Sequence, residues 1–311
     1  MEIASNTLGM NRADWLKARR RGLGGSDAGA IAGLNPWVSP VQVWMDKTGQ
    51  VEPSCENEFC YWGNVLEDVV AKEFSRRTGL KVRRRNAILK HPEHEWMLAN
   101  VDRLIVGTDE GLECKTASAY MLDKWKDGRI PESYEAQIQH YMAVTGYSAW
   151  WIAVLIGGNT FKYQRVERDD EFIGLLIDLE KDFWETNVIG EQMPDVDGTS
   201  ACTEAVKKMF PDSDAGSEIH LSDQYEDALK EYARFSELEK RYKEAKDEMA
   251  NKLKVAIGDH EKGFLDGHVV TWKGVTSNRF DSKQFKADHP ELFDQYAKES
   301  TYRRFAVKAI N

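Results

Sequence analysis

The stretch VDRLIVGTDEGLECKT, residues 101 to 116, constrains this chain more than any other. Two apolar runs flank a Gly-Thr-Asp-Glu-Gly turn, which predicts a β-hairpin. Asp102 nonetheless falls inside the first run, and Glu113 and Lys115 fall inside the second. Buried charge is costly unless it is paired or holds a metal ion. Alternation in GLECKT puts Leu112, Cys114 and Thr116 on one face, and Glu113 and Lys115 on the other. With Asp109-Glu110 as the turn, Asp102 shares the face of Glu113, whereas a slip of one residue separates them. Asp-Glu is not a favoured two-residue turn, so this register is an assumption.

Granted that register, two hard carboxylate donors and the main-chain carbonyl of Cys114 suit Mg²⁺, which keeps several of its waters, and Mn²⁺ can substitute. Lys115 beside them can hold or deprotonate a water, while the ion offsets charge building on a phosphate. An isolated pattern of this kind is more often a salt bridge at a sheet edge, so the neighbouring segments matter. Cys55, Cys60, Cys114 and Cys202 show no CxxC spacing. That argues against zinc or an iron–sulfur cluster and for reduced thiols.

A helix is expected over 11–20, capped by Asn11, followed by the Gly-rich turn RGLGGSD, in which Ser26 or Asp27 can cap a small-residue helix. Ser39-Pro40 opens another helix, and residues 57–78 carry Phe59, Trp62, Leu66, Val69, Val70 and Phe74 at helical spacing. Strands are expected over 81–89, 97–106, 111–116, 148–156 and 160–166, and helices over 118–126, 132–145 and 169–188. The fold class is therefore α/β, a mixed central sheet flanked by helices. Residues 1–190 form the expected core and 191–218 a linker around one short helix. Residues 219–311 form an extension with one long amphipathic helix from about 221 to 257, a hairpin turning at Asp266-Gly267, and an aromatic, basic tail.

The net charge of −10 argues against a protein that coats DNA indiscriminately. The basic residues are clumped, however, at Lys17 to Arg21, Lys81 to Arg85, Lys124 to Arg129 and Arg303-Arg304. An acidic exterior can coexist with a basic groove, although any one clump is more often solvated surface. With neither a signal-peptide layout nor a membrane-length apolar run, a cytoplasmic location is expected.

Asp102…Glu113-Cys114-Lys115 resembles the PD-(D/E)xK nuclease signature, with Val101 where that signature has its variable proline. RGLGGSDAGAIAGLNPW, GNVLEDVVAKEF, ANVDRLI, GLECKT and PESYEAQIQHYMAVTG, in this order over roughly residues 15 to 185, resemble the YqaJ-type viral recombinases, the group that contains bacteriophage lambda exonuclease. The resemblance implies a restriction-endonuclease-like core. It implies Asp102 and Glu113 as metal carboxylates, Lys115 as the residue that activates or positions water, Glu67 as a further acid and Gln137 as a hydrogen-bonding site residue. Gln139 and His140 follow so closely that choosing Gln137 rests on the resemblance alone. A Gly-rich turn opening a helix is also an anion site. In the resembling exonucleases this region receives the 5′-phosphate, which implicates Ser26 and one of Arg19, Arg20 and Arg21, with Arg20 or Arg21 favoured.

The activity so implied is Mg²⁺-dependent 5′-to-3′ digestion of double-stranded DNA ends, leaving 3′ overhangs for phage-type recombination. A homotrimer, a single-strand annealing partner and a phage or prophage origin in a bacterial host accompany it. A structure-selective or nicking endonuclease of the same superfamily is the second reading. A non-catalytic DNA-end-binding or assembly protein is the third, and an intact Asp102, Glu67, Glu113 and Lys115 set weakens it.

Overall fold

The strands expected over 81–89 and 97–106 are each cut in two, at 85–86 and at 100–102, and each half joins a different sheet. The computed structural model describes residues 1–51 and 58–308; Cys55 and the expected helix start at residue 57 lie outside the described residues. The first of two compact units, residues 1–210, begins with β1 (Glu2–Asn6), α1 (Arg12–Arg19), β2 (Leu23–Gly24), α2 (Gly25–Ile31), α3 (Pro40–Lys47) and α4 (Glu58–Thr78). It continues with β3 (Val82–Arg84), β4 (Ala87–Lys90), β5 (Met97–Ala99), β6 (Arg103–Ile105), β7 (Glu110–Ala117) and a 3₁₀ segment over Ala119–Trp125. Then follow α5 (Glu132–Thr145), β8 (Ala149–Ile156), β9 (Thr160–Glu167), α6 (Asp170–Asp182) and α7 (Ser200–Met209).

One sheet has the order β3-β6-β7-β8-β9 and the other β1-β4-β5-β2. β7 and β8 run parallel, as do β2 and β5, and the remaining pairs in these sheets are antiparallel. The parallel pair requires a crossover, and the segment from β7 through α5 to β8 supplies it. Alternation along β7 turns Leu112 toward α4, where it packs with Val70, Ala71, Phe74, Ile105 and Ala153. The opposite face is covered by Ile138, Tyr141 and Met142 of α5, packed with Val101, Leu104 and Trp150. Of the expected apolar stripe on α4 only Val70 and Phe74 are buried: Phe59 is 85 % exposed, and Trp62 and Val69 are each 50 % exposed.

The hairpin register differs from the expected one. Arg103 pairs with Leu112 and Leu104 with Gly111, so the chain reverses around Gly107, at φ +85°, and not at Asp109-Glu110. A residue with a Cβ is strained at that φ. The slip is an even number of residues, so Asp102 stays on the face of Glu113, now directly opposite it.

α6 runs on into a π-helical turn, Phe183–Ile189. Phe183 is buried with Trp44, Cys202 and Ala205, and the Trp44 indole donates to the Asn187 carbonyl at 3.0 Å. This cluster holds α7, expected as a linker helix, on α3. The second unit, residues 211–311, contains α8 (Glu226–Ile257), the hairpin β10 (Lys262–Leu265) and β11 (His268–Thr271), α9 (Ser282–Asp288) and α10 (Pro290–Tyr296). Leu265 pairs with His268 across Asp266 and Gly267, both at positive φ, as a tight primed turn demands. The Tyr232 and Phe305 rings meet edge to face at 5.7 Å. Among the described residues no helix is long and apolar enough to cross a membrane.

Gly111 faces Trp150 across the parallel ladder, and a Cβ built there would lie 2.2 Å from the indole. Trp150 is fully buried, so the ring cannot swing away. Gly111→Ala should cost about 1–3 kcal/mol of stability through overpacking, read as a lowered thermal midpoint with the same far-ultraviolet spectrum.

Candidate active site

Asp102 ends the break between β5 and β6, and Glu113 and Lys115 project from β7 toward α5. The Asp102 carboxylate accepts from the Cys114 N–H at 2.8 Å. The Lys115 ammonium contacts Glu113 Oε1 at 2.6 Å, donates to Gln137 Oε1 at 2.9 Å and sits 4.7 Å from the centre of the Tyr134 ring. Gln137 Nε2 donates to Glu113 Oε1 and to the Tyr141 hydroxyl, both at 2.8 Å. The Tyr141 hydroxyl donates in turn to the Asn100 carbonyl at 3.2 Å. The tertiary structure thus selects Gln137 among the neighbouring polar residues of α5. Gln139 instead bonds the Glu167 carbonyl and the Asp169 N–H. His140 is buried between Glu180, at 2.9 Å, and the Leu98 carbonyl, at 2.8 Å.

Electrostatics mark the same place. Burial, and then the charges of Glu113 and Glu67, push the Asp102 carboxyl well above the ordinary carboxylate range. Burial works against the Lys115 charge, yet Glu113, Tyr134 and Asp102 outweigh it and move its pKa upward. A protonated lysine is a donor, so in this state Lys115 can donate to an oxygen and does not take a proton. Among the described residues Glu113 Oε2 is buried with no hydrogen-bond partner, which is costly for a carboxylate unless a cation meets it.

Crowded carboxylates with an orphaned oxygen fit a divalent cation. Among the described residues no group of three or more His, Cys, Asp and Glu side chains is placed to hold a metal ion. Glu67 does not hang free over the site. Its carboxylate pairs with the buried Arg103 guanidinium, which also grips Asp68, and Arg84 Nη2 holds Asp68 from outside at 2.6 Å.

The three N-terminal arginines separate in space. Arg20 pairs with Asp46 at 3.0 Å and donates to the Val51 carbonyl at 2.6 Å, and Arg21 is exposed. Arg19, not the favoured Arg20 or Arg21, donates to Ser26 Oγ at 3.0 Å. A cavity of about 160 Å³ has Arg19, Ser26, Asp102, Glu113 and Gln137 among its lining residues. Helical spacing carries the signal: α1 aligns Arg12, Trp15 and Arg19, and both guanidinium groups lie 4.8 Å from the centre of the Trp15 ring.

The start of α2 also differs from expectation, with Gly24 as the N-cap and Ser26 and Asp27 inside the first turn. Asp27 accepts from the Gly24 N–H at 2.8 Å and pairs with the buried Lys47 at 2.7 Å. The helix start therefore already has its negative charge, and Arg19 and Ser26 are the paired polar groups beside it. Gly25 lets α2 lie against α5, because a Cβ there would come within 2.5 Å of the Tyr141 ring.

A mixed sheet flanked by helices in this arrangement is the exonuclease-like fold. It is shared with LHK-Exo, an alkaline exonuclease from Laribacter hongkongensis solved in complex with dAMP. That likeness has a TM-score of 0.50 at 20 % identity, over 58 % of this chain and 93 % of the other. The YqaJ-like viral recombinase domain matches residues 14–148. The uncharacterized protein YqaJ of Bacillus subtilis (strain 168) is 44 % identical over 313 aligned residues, covering 100 % of this chain and 98 % of that protein. Protein R354 of Acanthamoeba polyphaga mimivirus is 28 % identical over 89 residues, 29 % of this chain and 16 % of that protein. The chain belongs to the YqaJ-like viral recombinase family.

An Asp whose folded pKa lies above its unfolded value contributes stability in acid that is lost as pH rises toward and through the folded pKa. Asp102→Asn keeps the acceptor for Cys114 and removes the charge. Without added divalent cations it should stabilise the protein at neutral pH by on the order of 1–2 kcal/mol, with the gain disappearing below the ordinary Asp value of 3.8. Denaturant melts at several pH values measure it.

Proposed function

We propose that this protein is a Mg²⁺-dependent exonuclease that digests the 5′-ended strand of double-stranded DNA and leaves a 3′ overhang. The observation that carries this reading is the Glu113 oxygen left without a partner among the described residues, on the same strand face as Asp102 and beside Lys115. Asp102, Glu113 and the main-chain carbonyl of Cys114 would hold Mg²⁺ or Mn²⁺, with Glu67 at the rim. A bound divalent ion there supplies positive charge against the charge that builds on the scissile phosphate. Lys115, fixed by Glu113 and Gln137, orients the attacking water by donating to it. Tyr141 and Gln137 keep the Glu113 carboxylate from turning away.

Arg19 and Ser26 would receive the 5′-phosphate, the arginine as a charge-assisted donor. Their place on the wall of the cavity that also holds Asp102 and Glu113 would set one nucleotide between end and cut. The dAMP bound to LHK-Exo is the kind of product such a spacing releases. A homotrimer around DNA and a single-strand annealing protein as partner complete the reading; a ring would reconcile a net charge of −10 with a polyanionic substrate.

Linear duplex labelled at either end, incubated with Mg²⁺ or EDTA, tests the proposal. Loss should proceed from 5′-phosphorylated ends only and stop in EDTA. Asp102→Ala and Lys115→Ala should each lower the rate by roughly 10³-fold or more, while Arg19→Ala should erase the preference for a 5′-phosphate. Cutting of covalently closed circles, or binding without cleavage in either Mg²⁺ or Mn²⁺, would overturn it.

A further inference from the structure

Both strand breaks open onto one polar notch. Its volume is about 470 Å³, and it meets the smaller cavity at Trp15, Asn100 and Asp102. In a chain of net charge −10, this notch gathers four arginines, Arg12, Arg84, Arg85 and Arg103, against two carboxylates, Glu67 and Asp102. Arg103 is committed to Glu67 and Asp68. Arg84 is 57 % exposed while it holds Asp68, and Arg85 Nε is buried with no partner among the described residues. Asn64, Asn86 and Asn100 complete a wall of donors. The cause lies in the backbone: where a strand leaves one sheet for another, its groups and side chains turn outward together, here from two adjacent strands at the same level.

We propose that this notch is the subsite for the phosphodiester on the 3′ side of the scissile bond, gripped by Arg84 and Arg85. The assignment rests on the nuclease reading above and extends it. Asp102 stands on the wall common to both cavities. A strand anchored at Arg19 and Ser26 passes its first linkage over Asp102 and Glu113, and its second linkage then enters the notch. Guanidinium groups recognise phosphodiester oxygens through charge-assisted, often forked hydrogen bonds. The notch is thus matched to backbone and not to base sequence, as an enzyme that digests any sequence requires.

A double-mutant cycle between protein and DNA tests the subsite. A short 5′-phosphorylated duplex is bound in Ca²⁺, which slows cleavage, with either a natural or a neutral methylphosphonate second linkage. In the native protein the neutral linkage should weaken binding roughly tenfold. In Arg85→Ala, and in Arg84→Ala at its exposed position, the same change in the DNA should have little further effect. A neutral linkage far from the 5′ end should act equally in all three proteins. If the second linkage costs the variants as much as it costs the native protein, the subsite is wrong. Turnover in Mg²⁺ is scored separately. Coupling without hydrolysis leaves the notch as a phosphodiester-binding site and removes the nuclease; hydrolysis without coupling removes the subsite and leaves the nuclease. Absence of duplex binding overturns both.

Discussion

Two carboxylates face each other across the β6–β7 ladder, and the site is organised around the cost of keeping them there. Asp102 and Glu113 would repel if left alone, and burial makes the repulsion worse. The Cys114 N–H, the Lys115 ammonium and the Gln137 amide offset part of that cost. Glu113 Oε2 remains unpartnered among the described residues. The crowding is a stability cost concentrated where a cation would remove it.

The fold supplies each offsetting group from a different direction. β7 gives Glu113 and Lys115, α5 gives Gln137, and the strand break before β6 frees Asp102 to turn inward. The parallel crossover lays α5 over the face on which the acids lie. His140 and Glu180, buried together, tie α5 to α6, and Tyr141 ties it to the backbone at Asn100. On the other face Arg103 turns toward α4 and binds Glu67 and Asp68. Adjacent residues 102 and 103 therefore serve opposite sides of the sheet.

Much of this was legible in the residues. The alternation in GLECKT separates Cys114 from Glu113 and Lys115, and the observed ladder keeps that separation. The hairpin's face assignment is the same in the expected and the observed register, because side-chain direction depends only on whether the slip is odd or even. Helix caps at Asn11 and Ser39 stand where local side-chain chemistry puts them. Less legible were the strand breaks at 85–86 and 100–102. The first lies in the polar run Arg83 to Asn86 and the second at Asn100-Val101-Asp102, but neither stretch shows that the two halves pair with different neighbours. β1 and β2 were invisible for a similar reason: one is a polar, exposed edge strand and the other spans only Leu23–Gly24.

By itself the sequence determined which chemical groups are present and which face of each strand or helix they occupy, because periodicity and capping are local properties. Only the tertiary structure decided which of the competing neighbours are used. It chose Gln137 over Gln139 and His140, which bond to other parts of the fold, and brought Arg19 rather than Arg20 or Arg21 to Ser26. It sent Arg20 to Asp46 and placed Asp27 on Lys47. Those choices depend on contacts between segments far apart in the chain, and consecutive polar residues look equivalent until the packing partner of each is in place.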